Sequence, residues 1–346
     1  MKFLTYLLLF CVLSISAQSP KKYKLRTIAF YNVENLFDTV NDSLVFDDDR
    51  TPEGKYGWTI DRYQKKIEHI SKVLSQIGAG TSKTSPDIIG LCEVENKSVI
   101  EDLVHHPNLI DKDYGIIHFD SPDERGIDVA LLYKKSAYIP SSFNSHRLLL
   151  FDDLGKRNYT RDQLVVGGML DDEEFYFLVN HWPSRRGGAA KSKPNRIRAA
   201  LLNKRIIDSV QKLNPEAKII SMGDLNDDPR DDSLKKILST KGKPNQLDST
   251  SLFNPMEKLY KKGIGSLAYR DKWNLFDQFF MSINLVQKDK KQFSFWKAGV
   301  FAPSFLKTAQ GKFKGYPLRT YSGGTYTGGY SDHFPVYLFL IKEMEE

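Results

Sequence analysis

Short continuous apolar runs dominate the chain, and most of them end on a polar or acidic residue. Runs of four to eight apolar residues bounded by turn residues read as strands covered on both faces. Residues 27–31, 87–92, 115–119, 127–133 and 219–222 fit that description. Residues 163–170 and 174–179 read as a hairpin turning at Asp171, Asp172 and Glu173. Residues 273–282 read as a strand carrying Asp277, and residues 334–341 as the last strand. Two stretches carry helical spacing instead. In residues 58–77, Ile67, Ile70, Leu74 and Ile77 share one face and Thr59 stands at the cap position; residues 195–211 form the second. Shorter helices are expected at 97–104 and 229–240, polar loops at 38–57 and 241–268, and broken apolar pieces over 286–329. Strands outnumber helices and the helices are scattered among them. The expected class is α/β or α+β, with two sheets packed together and helices outside. No repeat or long linker divides the chain, so residues 18–346 read as one domain.

The start of the chain is read separately. Lys2, the apolar run 3–15 and Ser14-Ile15-Ser16-Ala17, which offers a small residue at the cut, have the form of a signal peptide cleaved after Ala17. The run is too short to span a bilayer, and no later stretch is long and apolar enough. The expected location is therefore secreted or periplasmic. Export gives meaning to the two cysteines. Cleavage removes Cys11 and leaves Cys92 in an apolar strand, where it reads as a packed residue without a disulfide partner. The net charge of +7 suits an anionic substrate but does not identify one.

The chemistry lies where strands give way to loops. Asn32, Glu93, His181, Asp224, Asn226 and the pair Asp332–His333 all occupy such positions, and loops on a rigid scaffold are where catalytic groups are usually placed. Taken alone, Asp224 and Asn226 after Gly223 are turn chemistry, and Glu93 is a solvated loop acid. Together the carboxylates and amides suit a shared hard cation: magnesium, manganese or calcium. Zinc is disfavoured, because no histidine pair has ligand spacing and there is no cysteine cluster. Asp277, in a very apolar strand, needs a partner. Either Arg270 or Lys272 supplies it, or His333 does, giving an Asp–His–water relay. Arg161 and Arg185 are candidates for contacting phosphate oxygens, whereas Arg125 reads as a surface ion pair. Tyr326 or Tyr330 is either a stacking platform or part of a hairpin tip. No base-reading module is present, and no apolar loop suited to membrane insertion is evident.

At this point the residues carry a resemblance. The ordered series Asn32-Val33-Glu34-Asn35-Leu36-Phe37, Leu91-Cys92-Glu93-Val94, Arg125 to Tyr133, Asn180-His181-Trp182-Pro183-Ser184, Gly223-Asp224-Leu225-Asn226-Asp227, Asp277-Gln278 and Ser331-Asp332-His333-Phe334-Pro335-Val336 resembles the endonuclease/exonuclease/phosphatase superfamily, over nearly the whole chain after the leader. The resemblance implies a four-layer α/β sandwich of the deoxyribonuclease I type. It implies Asn32 and Glu93 at a metal site, with Glu93 a direct ligand and Asp332 near the metal. Asp224 would orient or deprotonate the attacking water, and Asn226 would hold a non-bridging phosphate oxygen. His333 would be oriented by Asp277, His181 would bond the phosphate or assist the leaving group, and Arg161 would contact phosphate. Which group takes the proton stays open.

The function expected is a secreted, divalent-metal-dependent phosphoesterase, foremost a nuclease of low sequence specificity acting as a monomer on nucleic acid. A phosphatase or phospholipase C-like enzyme on a small phosphate ester or lipid headgroup is the alternative. A binding protein without catalysis ranks below both, because every key position holds a competent residue.

Overall fold

The computed structural model describes residues 21–344; the leader expected at residues 1–17 lies outside them. Strands β1 (Tyr23–Leu36), β2 (Ile88–Val94), β3 (Tyr114–His118) and β4 (Asp128–Lys134) lead into β5 (Tyr138–His146), β6 (Gln163–Leu170), β7 (Glu173–His181) and β8 (Lys218–Asp224). Short strands β9 (Thr240–Lys241) and β10 (Leu252–Phe253) precede β11 (Asp277–Met281), β12 (Ser294–Val300) and β13 (Val336–Glu343). They form a six-stranded sheet of order β12-β13-β1-β2-β4-β3 and a seven-stranded sheet of order β9-β10-β11-β8-β7-β6-β5. Most neighbours are antiparallel, but β1 with β2, β7 with β8 and the short pair β9 with β10 are parallel.

The continuous apolar runs are explained by burial on both faces. Along β1, Ile28 and Phe30 point into the space between the sheets, where they meet Phe177, Ile220 and Met222 of the second sheet. Ala29 and Tyr31, on the opposite face, pack under helix α1 (Ile60–Gln76) and helix α2 (Lys97–His105) through Ile70, Leu74, Val99 and Leu103. Helix α3 (Ala189–Leu213) covers the outer face of the second sheet, with Ala199, Ile206 and Ile207 on Leu178, Ile219 and Phe280. The result is four layers, helix–sheet–sheet–helix. Among the described residues no helix is long and apolar enough to cross a membrane. Cys92 is fully buried and unbridged, as read from its apolar strand.

Packing is close near the site, both between the sheets and between neighbouring strands of one sheet. A Cβ on Gly90 would stand 2.8 Å from Met222 Sδ, and one on Gly223 would stand 2.4 Å from Asn180 O. Gly223→Ala is therefore expected to push β8 off β7 and cost about 1–3 kcal/mol by overpacking, measurable as a lower urea midpoint at unchanged slope.

Several elements differ from the sequence reading. β5 was not anticipated: it is a half-exposed edge strand, bulged between Pro140 and Ser142, and edges tolerate the polar residues and proline that hide a strand pattern. The expected strand 273–282 is broken. Lys272–Asn274 pairs with Leu267–Tyr269, and the chain bends at Leu275 and Phe276 before entering β11. Leu275 N donates to Asp228 Oδ1 and Leu225 N to Phe276 O, which fixes the bend. α3 begins six residues earlier than its periodic face, running through Pro194 on a turn held by Ser192 and Arg196 side chains. Thr59 occupies the cap position of α1 without a side-chain bond.

Candidate active site

Strand register assembles the site. In the second sheet, Asp224 at the end of β8 pairs with His181 on β7 and with Asp277 on β11, so the three stand side by side at one edge. In the first sheet, Asn32 pairs with Cys92, the residue before Glu93. The turn before β13 carries Asp332 and His333. Ser331 Oγ ties that turn down: it donates to Asn32 O at 2.7 Å and accepts from His333 N at 3.0 Å.

These strand ends are conformationally strained. Glu34, Asn35, Glu93 and Asn226 have φ of 52°, 55°, 62° and 49°. Each is a non-glycine residue in the left-handed region, a state that persists only where surrounding bonds hold it. The holds are visible. Glu34 N donates to Asn32 Oδ1, Asn35 N to Glu93 Oε2, and Asn226 N to Asp224 Oδ1.

The two sheets meet through Asn32. Its Nδ2 donates to Glu93 Oε1 and to Asp224 Oδ2, both at 3.2 Å. His181 Nε2 lies 3.8 Å from Glu93 Oε1 and 3.6 Å from Asp224 Oδ2. His333 Nε2 approaches Asp224 Oδ2 to 3.9 Å from the other side. Behind it, His333 Nδ1 bonds fully buried Asp277 Oδ2 at 2.6 Å. Asp277 pairs with neither Arg270 nor Lys272, so the strand's lone buried acid is matched to the histidine.

Environment drives the titrating groups apart. Burial, with Arg161, Arg125 and His333 nearby, pushes His181 well down and keeps it neutral. Burial also opposes charge on His333, but the Asp277 carboxylate overcomes it and drives that imidazole well up. Burial raises Asp224 to about 7 against the pull of His333.

The donor set fits a hard divalent cation. Glu93 and Asp224 bring carboxylate oxygens to Asn32, and among the described residues the basic nitrogens within 4 Å of those oxygens belong to imidazoles rather than to lysine or arginine. Asp332, expected near the metal, is tied to an arginine. It is one-third exposed and bonds Arg319 Nη2 at 2.7 Å, while Arg319 Nε reaches Glu34 at 3.2 Å.

The arginines are tied to groups of the protein itself. Arg161 is buried beneath Trp182, with Nη1 on Asp123 Oδ2 and Nη2 on Trp182 O. The buried Asp123 needs that counter-charge, so Arg161 supports the strand end from below. Asn226 Nδ2 donates to the same Trp182 carbonyl at 3.0 Å. Arg185 stacks on Phe276 and bonds Asn226 O and Asp231, clamping the loop after Asp224. Arg125 is a half-exposed ion pair with Asp123. Tyr330 is buried and stacked on His69, which removes it as a platform; Tyr326 lies under Arg62. The loop after β1 exposes Val40, Leu44 and Phe46, the last two in the short apolar run Leu44-Val45-Phe46 set among acids.

Sequence reasoning missed Lys66, Glu34, Arg319 and Ser331. Lys66 is almost wholly buried, and its Nζ donates to Thr320 Oγ1 and Tyr330 O. Thr320 N donates to Glu34 Oε2. The signal was present: Lys66 falls on the same helical stripe as Tyr63, Ile67 and Ile70.

A four-layer sandwich whose facing strand ends gather these carboxylates, amides and histidines defines a class of enzyme, the phosphoester hydrolases that act with a bound divalent cation. The chain belongs to the endonuclease/exonuclease/phosphatase family, whose model matches residues 27–342. It is similar in fold to D. rerio TDP2 complexed with single-strand DNA product, at 15% identity and TM-score 0.53 over 91% of this chain and 98% of that one. An endonuclease/exonuclease/phosphatase family protein from Bacteroides thetaiotaomicron gives 16% and 0.53, covering 94% and 98%. The human Nocturnin catalytic domain with bound sulfate gives 14% and 0.53, covering 94% and 98%. The comparison with curated proteins returned no match.

Proposed function

We propose that the protein hydrolyses phosphodiester bonds of nucleic acid with little sequence preference, using magnesium or, in its place, manganese or calcium. The observation that carries this reading is Asp224 set between a neutral and a charged histidine, at 3.6 and 3.9 Å. Groups pushed in opposite directions within one site are how acid and base roles are divided. Asp224, raised to about 7, has the basicity to take a proton from water near neutral pH. His333, held by Asp277, offers Nε2 as a charged donor to a phosphate oxygen. His181 is neutral, and its Nε2 faces the same space. Glu93 and Asn32 would hold the cation, which when bound supplies charge stabilisation at the phosphoryl oxygens. TDP2 with single-strand DNA product, on the same fold, is consistent with a nucleic-acid substrate.

A second reading, a phospholipase C-like enzyme on a lipid headgroup, is favoured by one observation. Val40, Leu44 and Phe46 stand 71%, 89% and 74% exposed on a single loop.

Supercoiled plasmid incubated with the purified mature chain and magnesium separates the two. Nicking that EDTA and Glu93→Gln each reduce at least ~10²-fold is the expected result. Intact plasmid, together with phosphocholine release from sphingomyelin vesicles, would replace the first reading by the second. Export is part of the proposal and rests on residues 1–17. Amino-terminal sequencing of the secreted or periplasmic chain should begin at Gln18, after Ala17.

A further inference from the structure

The loop joining β1 to α1 holds an acidic cluster that the reaction does not use. Asp38, Asp42 and Asp47 lie on it, and Glu95, just past β2, faces them. Asp38 N donates to Glu95 Oε2 at 2.6 Å, and Glu95 N donates to Leu36 O, so the loop is fastened to the β2 exit. The charges that act most on Glu95 are those of Asp38, Asp47 and Asp42, all of its own sign. Carboxylates brought this close usually have a lysine or arginine among them. Among the described residues, none of these four makes an ion pair with one.

The independent observation is Asp47. It is 1% exposed, and its Oδ1 is buried without a hydrogen-bond partner. A buried, unpartnered carboxylate oxygen is costly, and a missing ion is one of the few things that accounts for it. Its other oxygen accepts from Asp42 N at 2.9 Å. Asp42 likewise spends Oδ1 on Leu44 N, and Glu95 spends Oε2 on Asp38 N. Three carboxylates are thus each pinned by one oxygen to a backbone N–H, with the second oxygen left over. Loop-borne, all-oxygen sets of this kind suit calcium, which accepts six to eight oxygens in adaptable geometry.

We propose that Asp42, Asp47 and Glu95, with Asp38 beside them, bind one calcium-type hard divalent cation at a second site, separate from Glu93 and Asn32. The free oxygens are not drawn onto one point in the structure, as expected of like charges without a counter-ion. Loading gathers them and fastens the loop to the β2 exit. A different trio, His118, Asp120 and Asp128, does place its ligand atoms within one ion's reach. Its Asp128 is already satisfied by Ser121 and His118, and Asp120 is fully in solvent, so it lacks the unpartnered oxygen that marks the first site.

The test uses the full mature chain carrying Glu93→Gln, which disables the catalytic cation site. Calorimetric titration of the chelator-stripped protein with calcium chloride is expected to show one site and a Tm rise of roughly 5 °C at saturation. Adding Asp47→Asn, or Asp42→Asn on the exposed side, is expected to weaken binding at least ~10-fold, as loss of a charged ligand would. The stripped Asp47→Asn chain should melt no lower than its parent, since it loses an uncompensated buried charge. No calcium binding by the Glu93→Gln chain overturns the proposal. So does binding that neither further substitution changes. Should Asp47→Asn fail to fold, Asp42→Asn alone decides between these outcomes.

Discussion

Asp224→Asn is expected to stop phosphoester cleavage and, in the same protein, to raise the melting temperature. The two effects share one cause. Asp224 is buried, and burial lifts its carboxyl from 3.8 to about 7. A folded-state pKa above the unfolded value means that the folded chain binds the proton more tightly. The resulting stability is complete below about pH 4 and is lost as pH rises through about 7. At neutral pH without a cation, the ionised carboxylate therefore works against the fold. Asparagine keeps the shape and can still accept from Asn226 N; its amide, standing where Oδ2 was, gives up the bond from Asn32 Nδ2 but can donate toward neutral His181 Nε2. What is lost is the proton acceptor, worth roughly 10²–10⁴-fold in rate. Initial nicking rates with magnesium and calorimetric melts in EDTA at pH 7 check both halves. An active variant removes Asp224 from the chemistry. A variant less stable than wild type in EDTA shows that its charge is compensated after all.

Lys66→Met is expected to give the largest loss of stability outside the apolar core, about 3–5 kcal/mol, the range for removing one member of a buried charge set. Lys66 Nζ is the ammonium among Glu34, Asp332 and Glu93, and it satisfies both Thr320 Oγ1 and Tyr330 O. Methionine fills the space but leaves that carbonyl and the acids uncompensated. Burial lowers Lys66 to about 8 despite those acids. Between about 8 and 10.5 the unfolded chain holds the lysine proton more tightly, so wild-type stability gains a rising contribution across that window. The variant should lack that rise. Urea titrations at pH 7 and pH 10 measure both effects. Equal midpoints for the two proteins at pH 7 would show that the network tying α1 to the 319–333 segment carries no energy.

Much of this architecture is written in the sequence because burial on both faces leaves an unmistakable trace. β1, β2, β4 and β8 each carry a short, mostly apolar run, since that part of each strand is covered by the opposite sheet and by a helix. β5 left no such trace, being half in solvent and bulged at Pro140. The same division holds at the site. Asp277 stood out because an acid in an apolar strand demands a partner, and His333 lies 2.6 Å away. The partners of Arg161 and Arg185 could not be read from the sequence. An arginine before a strand looks the same whether it faces a phosphate or braces Trp182 O and Asp123 from below. Asp332 was grouped with Asn32 and Glu93 by its place in the chain, whereas Arg319, thirteen residues earlier, holds it. Long-range ion pairs of that kind have no local signature.

The facing strand ends have a mechanical consequence. Asn32 and Glu93 ride on one sheet, whereas His181, Asp224 and Asp277 ride on the other. Between the two sheets lies only the interlocked layer in which Gly90 admits Met222. The alignment of the proposed cation site with the proposed proton acceptor is thus set by the seating of two plates, as jaws are set by their pivot. Any sliding of one plate against the other detunes the jaws together, while the residues within each keep their mutual spacing.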